Sequence, residues 1–321
     1  MKSVIKKIIT FTITLLLVSM VAFLMFQVIP GDSVLTKAGM NATPERIEEL
    51  REAYGLNENI VVRYFNWLKG FVTGNGYKSY TYNMDVWDLV IPNLKATILL
   101  AGYSLIIILA VSIPLGTVLG YMSGKKKKSV SRKIGSLFDV VNQGIMAVPS
   151  FFLGIMISIV FGLMLKWFIP GQIVSLEDDF LGFIGAITPA AVAVAVPKIA
   201  MLTKFTKSSI TENIRADYVR TARSKGMTLT SILFKHVLKN ALIPVITVTG
   251  VISTEIFAGS IVVEQVFGIP GLGKVLINSI SSRDYPVVMA AVVYSAIVVL
   301  TVNLIVDIAY RIVDPRMGGK S

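Results

Sequence analysis

The sequence predicts an all-α polytopic membrane protein with six transmembrane helices. Three observations predict it. Apolar residues make up 54% of the 321 residues and the mean hydropathy is +0.72. Charged residues are only 16%, against roughly 25% in an ordinary globular chain. Six separate runs are long enough to cross a hydrocarbon core of about 30 Å at about 1.5 Å per helical residue. Disorder, a collagen repeat and a disulfide scaffold are excluded by the apolarity, the unrepeated 25 Gly and the absence of Cys. One His and no Cys leave no material for a soft-ligand metal site or a Cys/His nucleophile.

The first run, residues 8–29, is too long for a signal-peptide core, and Phe26-Gln27-Val28 is not a small-residue cleavage site. The second is 94–122, containing Pro114, and the third is 145–168, entered through Pro149. The fourth, 183–202, contains Pro189, Pro197 and Lys198; the fifth, 241–263, contains Glu255; the sixth is 287–308. Proline inside a span is tolerated where neighbouring helices satisfy the freed carbonyls.

Basic residues orient the bundle. Lys2, Lys6 and Lys7 precede the first run; Lys125, Lys126, Lys127, Lys128, Arg132 and Lys133 follow the second. Lys204, Lys207, Arg215, Arg220, Arg223, Lys225, Lys235 and Lys239 follow the fourth, and Arg311, Arg316 and Lys320 close the chain. Only Asp139, Glu212, Asp217, Asp307 and Asp314 stand on the same side. By the positive-inside rule both termini are cytoplasmic, and Lys125–Lys128 is a topology signal rather than a nucleic-acid site.

Four segments result: residues 1–29 as a tail and first span, 30–93 as an extracytoplasmic loop, 94–313 as the core, and 314–321 as a cytoplasmic tail. In the loop, Thr43-Pro44-Glu45 reads as N-cap, N1 and acidic first turn of a helix running through Glu52 and stopping near Gly55. Tyr64, Phe65, Trp67, Leu68 and Phe71 form a second helical stripe, so this loop is a short helical lid packing on the bundle and the membrane interface, or else a docking surface for an external partner. Within the core, residues 204–240 form a basic loop in which Tyr218, Ala222, Leu229, Ile232, Leu233 and Leu238 punctuate the charges. Gly226 there suits a helix C-terminus and a sharp reversal. Such a helix–Gly–helix element is a rigid knob facing the cytoplasm, and His236 belongs to its packing.

Charges in or near spans are costly and often functional. Lys198 and Asp307 lie near expected cytoplasmic span ends and snorkel; Glu255 lies deeper, where it either faces a water-filled pathway or pairs within the bundle. Asn142 and Gln143 are candidates for the same pathway, or for the start of the third span. Gly268-Ile269-Pro270-Gly271-Leu272-Gly273-Lys274 matches GxxxxGK, but Val275 stands where a phosphate loop needs Ser or Thr, and Pro270 removes a cradle N–H. A rigid extracytoplasmic turn is the better reading.

Asp217-Tyr218-Val219-Arg220-Thr221-Ala222-Arg223-Ser224-Lys225-Gly226 resembles the coupling ("EAA") loop of ABC-importer permeases, in the version of the oligopeptide/dipeptide/nickel branch. His236 to Val245, Val263 to Gly273, Arg283-Asp284-Tyr285-Pro286 and Asp314-Pro315-Arg316 resemble that branch too. Pro30-Gly31-Asp32, Tyr54-Gly55-Leu56 and Tyr64 to Leu68 resemble the B-type permease of its heterodimeric pair. Arg220-Thr221 and Lys239 depart from the wider superfamily's Glu-Ala and Pro, which argues against a sugar or amino-acid importer.

The resemblance implies a type I permease fold and a binding-protein-dependent importer of oligopeptides or dipeptides, or in the alternative of nickel or a metal chelate. It implies no catalysis by this chain, ATP and Mg²⁺ on two separate cytoplasmic subunits, a second homologous permease, and an extracytoplasmic substrate-binding protein in the plasma (inner) membrane of a bacterium. It also implies coupling roles for Tyr218, Arg220, Thr221, Ala222, Gly226, Leu229 and Leu233, and an external gate or binding-protein contact at Gly268, Pro270, Gly271 and Gly273. An intramembrane enzyme would need paired Asp, Ser/His or metal ligands at span depth, where only isolated charges occur. A stand-alone secondary transporter would leave the basic loop without a purpose.

Overall fold

A computed structural model describes residues 2–28, 33–38, 42–74, 78–124 and 129–313. Lys125–Lys128, Pro30-Gly31-Asp32 and Asp314-Pro315-Arg316 lie outside them. Among the described residues the chain is helical, and its one β feature is an isolated antiparallel bridge between Lys78 and Asp85. Among the described residues five helices have the length and apolarity to span a membrane, or six if one bent pair counts as a single span. Two compact units divide the chain, one built from residues 1–97 and 270–300, the other from residues 98–269 and 301–321.

The first unit begins with α1 (Lys2–Val28), the short α2 (Ser33–Ala38), α3 (Pro44–Ala53) and α4 (Ile60–Thr73). Thr43 caps α3 by accepting from the Arg46 N–H, and Gly55 ends it at φ +64°, with Leu56 and Gly55 N–H groups bonded to the Arg51 and Glu52 carbonyls. The two short helices expected in this segment are thus present. Trp67 is buried among Phe23 of α1 and Met289 and Val293, and Ser19 shares a 2.9 Å hydrogen bond with the Tyr64 hydroxyl.

The second unit holds most of α5 (Val86–Gly124), then α6 (Ser129–Ala147), α7 (Ser150–Ile157), continued by a π-helical turn over Ser158–Met164, and α8 (Phe180–Ile214). Next come α9 (Asp217–Ser224), α10 (Leu229–Ile232) with a second π turn over Leu233–Val237, and α11 (Leu238–Phe267). The chain closes through α12 (Leu272–Ser281) in the first unit and α13 (Tyr285–Val313), whose last residues rejoin the second. Glycine permits a close approach of α5 to α8: a Cβ on Gly116 would lie 2.5 Å from Thr206 Cβ, and one on Gly120 2.7 Å from Ile210 Cβ.

Two expectations need correction. The third run is not one straight span: residues 137–147 and 150–164 meet at 92°. Pro149, extended at ψ 140°, both forbids helix at Val148 and starts α7. The helix that carries the fourth span does not end at Leu202 but runs unbroken to Ile214, so Lys204 and Lys207 lie on it rather than in a loop. Hydropathy falls there while the helical period continues through buried Leu202, Thr206, Ile210 and Ile214.

Candidate functional site: a capped helical knob and a polar face at span depth

With α8 extended, the knob contracts to residues 215–228 around α9. Ala216 takes an extended conformation before it, and Asp217 sits in its first turn with Arg223 in its last, signs that suit the helix dipole. Gly226 closes it at φ +83°. Its N–H reaches the Arg223 carbonyl at 2.9 Å, and the Met227 N–H reaches the Ala222 carbonyl at 3.2 Å. This is the paired C-terminal bonding that a left-handed residue makes possible. The chain then turns into Thr228, whose side chain caps α10 at the Ser231 N–H.

The knob has an inner and an outer side. Val219 and Ala222 are buried against Ile210, Ile214, Ile232, Leu233, Val237 and Ala241, with Tyr218, Met227 and Leu229 packed on that cluster. The Tyr218 hydroxyl donates to Asn213 Oδ1 at 3.1 Å, tying α9 to the end of α8. Arg220, Thr221, Arg223 and Gly226 are exposed, and the Arg220 side chain, 81% exposed, pairs only at 3.4 Å with Asp217. The seven predicted coupling residues therefore divide into anchors (Tyr218, Ala222, Leu229, Leu233) and a presented surface (Arg220, Thr221, Gly226). His236 does not serve the packing: the π turn places it on the exposed side, while Val237 turns inward.

Within the spans, Lys198 and Glu255 form an ion pair between α8 and α11. Lys198, expected to snorkel from a span end, instead has its ammonium paired with Glu255, and α8 continues sixteen residues beyond it. The Glu255 side chain is still 43% exposed and lines a cavity of about 620 Å³ with Thr247, Thr254, Asn303 and Asp307. Asn142 is elsewhere: it is buried and donates to the Ala200 carbonyl at 2.8 Å, binding α6 to α8, while Gln143 is exposed.

The glycine turn is two structures. Gly268 ends α11 at φ +67°, its N–H and that of Ile269 bonded to the Gln265 and Glu264 carbonyls. Gly271 is the N-cap of α12, in whose first turn Gly273 is buried, and Pro270 is exposed. The Leu272 N–H is taken by the Thr97 hydroxyl at 2.8 Å, so a helix N–H that would cradle a phosphate is already satisfied.

Sequence reasoning missed one polar site, built by the Arg283-Asp284 pair. Arg283 ends α12 in the left-handed region, φ +57°, and Asp284 is fully buried. Its carboxylate accepts from the Ser79 hydroxyl and from the N–H groups of Tyr80 (3.1 Å) and Thr81 (3.0 Å). Tyr54 stacks on Tyr80 at 4.0 Å, and burial, followed by the Asp284 charge, pushes its phenol above the ordinary 10.0. The only sequence signal was an acid directly before the aromatic-Pro start of a span.

Comparison with known proteins gives concordant matches. Residues 116–319 match the family described as binding-protein-dependent transport system inner membrane component, and residues 1–101 match the N-terminal family of the same systems. The chain is 37% identical over 306 residues to the oligopeptide transport system permease protein AppB of Bacillus subtilis, covering 94% of this chain and 95% of that one. It is 33% identical over 321 residues to the dipeptide transport system permease protein DppB of Lactococcus lactis subsp. cremoris, covering 98% and 99%. A putative peptide transport system permease protein of Brucella suis biovar 1 is 34% identical over 310 residues, 94% of each.

Proposed function

Because the chain belongs to the family of inner-membrane components of binding-protein-dependent transport systems, we propose that it is one permease half of an ATP-driven peptide importer. It is a multi-pass membrane subunit. Its proposed partners are a second homologous permease, two cytoplasmic ATP-binding subunits that hold ATP and Mg²⁺, and an extracytoplasmic substrate-binding protein. The chain itself carries no catalytic residue in this reading, and both its termini are cytoplasmic. The peptide names of its relatives favour peptides over nickel or a metal chelate.

The observation that carries the reading is the knob. A helix anchored by Val219 and Ala222 and closed by Gly226 is stiff, and its outward Arg220 and Thr221 are available to another protein. Closure of the ATPases would move α9 as a rigid body, and α9 passes that motion to α8 through Tyr218 and to α11 through the Leu233 cluster. Binding energy at the ATPases thereby biases an inward–outward equilibrium of the spans. Gly268, at the C-terminal end of α11, and Pro270, Gly271 and Gly273, at the start of α12, are assigned in this reading to an external gate or binding-protein contact.

The test uses the absence of Cys from the chain. Thr221→Cys in the assembled complex is expected to crosslink to an ATP-binding subunit. Gly226→Val, which has room for a side chain but a backbone that opposes one, is expected to insert normally and to hydrolyse ATP with little uptake. No crosslink, together with normal uptake by Gly226→Val, overturns the coupling role.

A further inference from the structure

The Lys198–Glu255 pair is unusual in its placing. Glu255 is eight residues from the Val263 end of the apolar run 241–263, roughly 12 Å at the helical rise, and so lies inside a hydrocarbon core of about 30 Å. A carboxylate at that depth does not face lipid; it faces protein or water. Lys198 engages Oε2 alone, and the rest of the group opens into the cavity of about 620 Å³. That cavity repeats the polarity along one stripe of α11, Thr247, Thr254 and Glu255, and meets it with Asn303 and Asp307 of α13. The Thr254 hydroxyl and Asn303 Oδ1 are 3.3 Å apart. Its ionisable lining is acidic, and its neutral members are acceptors as well as donors.

We infer that this cavity is a station of the solute pathway and that Glu255 receives the ammonium group of a passing peptide, which deepens and rests on the importer reading. Lys198 is the positioning residue: it holds one carboxylate oxygen so that the second edge of the group meets the solute. Thr254 and Asn303 accept further N–H groups of the ammonium or the peptide backbone. A cation thus crosses the middle of the span paired, without the cost of a lone charge there.

The experiment uses the complete transporter, with its ATPases and binding protein, in liposomes and with trialanine as the probe. Glu255→Gln keeps the shape and removes the charge. It is expected to lower trialanine uptake about tenfold, the lower end of what a charge-assisted hydrogen bond supplies, while binding-protein-stimulated ATP hydrolysis changes less than about twofold. Glu255→Asp is expected to recover most of the uptake. Independently of uptake, Thr254→Cys in this Cys-free chain is expected to react with water-soluble thiosulfonates, the cationic reagent about tenfold faster than the anionic one, and Glu255→Gln is expected to erase that preference. Unchanged uptake in Glu255→Gln overturns the inference. So does a Thr254→Cys thiol that only lipid-soluble reagents reach, or loss of uptake and of stimulated hydrolysis together. An unmodified complex whose ATPase ignores the binding protein strikes the importer reading instead, and the labelling preference still decides this one.

Discussion

Replacing Asp284 by Ala tests whether a single buried carboxylate holds residues 78–85 against the start of α13. The group is fully buried and takes three donors, the Ser79 hydroxyl and the N–H groups of Tyr80 and Thr81. Ala leaves all three without an acceptor. Each buried unsatisfied donor costs about 1–3 kcal/mol, and water entering the vacated space recovers part of it. A net loss of about 3 kcal/mol is the expectation, inside the range for removing one partner of a buried charged network. Because the bonds close a local loop, the loss appears as local opening. Hydrogen exchange in lipid nanodiscs reads it directly: the Tyr80 and Thr81 amides should exchange about a hundredfold faster, since about 1.4 kcal/mol is a factor of ten. Amides of α8 and α11, which belong to the other unit, should not change. Equal protection of Tyr80 and Thr81 in Asp284→Ala and the parent would refute the reasoning, as would a uniform acceleration through every helix.

Other perturbations have equally definite outcomes. Gly120→Ala puts a methyl within 2.7 Å of Ile210 and beside the Lys207 carbonyl, and should lower thermal stability in detergent by about 1–3 kcal/mol; Gly144→Ala, which meets nothing within 4 Å, should not. Tyr54→Phe probes the raised phenol. A raised folded pKa gives stability that is whole below pH 10 and is lost as pH climbs through the raised value, so the parent should loosen above pH 10, by Trp fluorescence of Trp67 and Trp87, more than Tyr54→Phe does. Arg283→Gly relieves a left-handed backbone at φ +57° and should raise stability by up to about 1 kcal/mol; a fall would show that the arginine side chain does more than end α12. Lys127→Cys should label with impermeant maleimide only from the cytoplasmic side of oriented vesicles, and labelling from outside would invert the topology.

What the sequence made legible was local. Spans follow from runs of apolar residues, the lid from Thr43, Gly55 and the aromatic stripe, and the knob from Gly226, because each depends on residues a few positions apart. Ends of spans were less legible, because hydropathy reports the edge of the bilayer and the hydrogen-bond ladder does not stop there: α8 leaves the apolar stretch and continues to Ile214 on buried Thr206, Ser209 and Ile210. The bend at Pro149 was visible as a proline, and its 92° as nothing at all.

Partners distant in sequence were the least legible. Glu255 could be placed at depth but not matched to Lys198, 57 residues earlier, and Asp284 was one acid in a motif until Ser79, 205 residues before it, supplied a donor. Asn142 carried the opposite lesson: a polar residue at span depth suggested a pathway, and a backbone carbonyl at Ala200 was what it needed. In a membrane the rule that separates these cases is satisfaction. A buried polar group that finds its partners inside the protein, as Asn142 and Asp284 do, holds helices and loops in place. Glu255 keeps one edge open to a cavity after Lys198 has taken the other, and that unfinished coordination is the reason to look for its last partner in the solute.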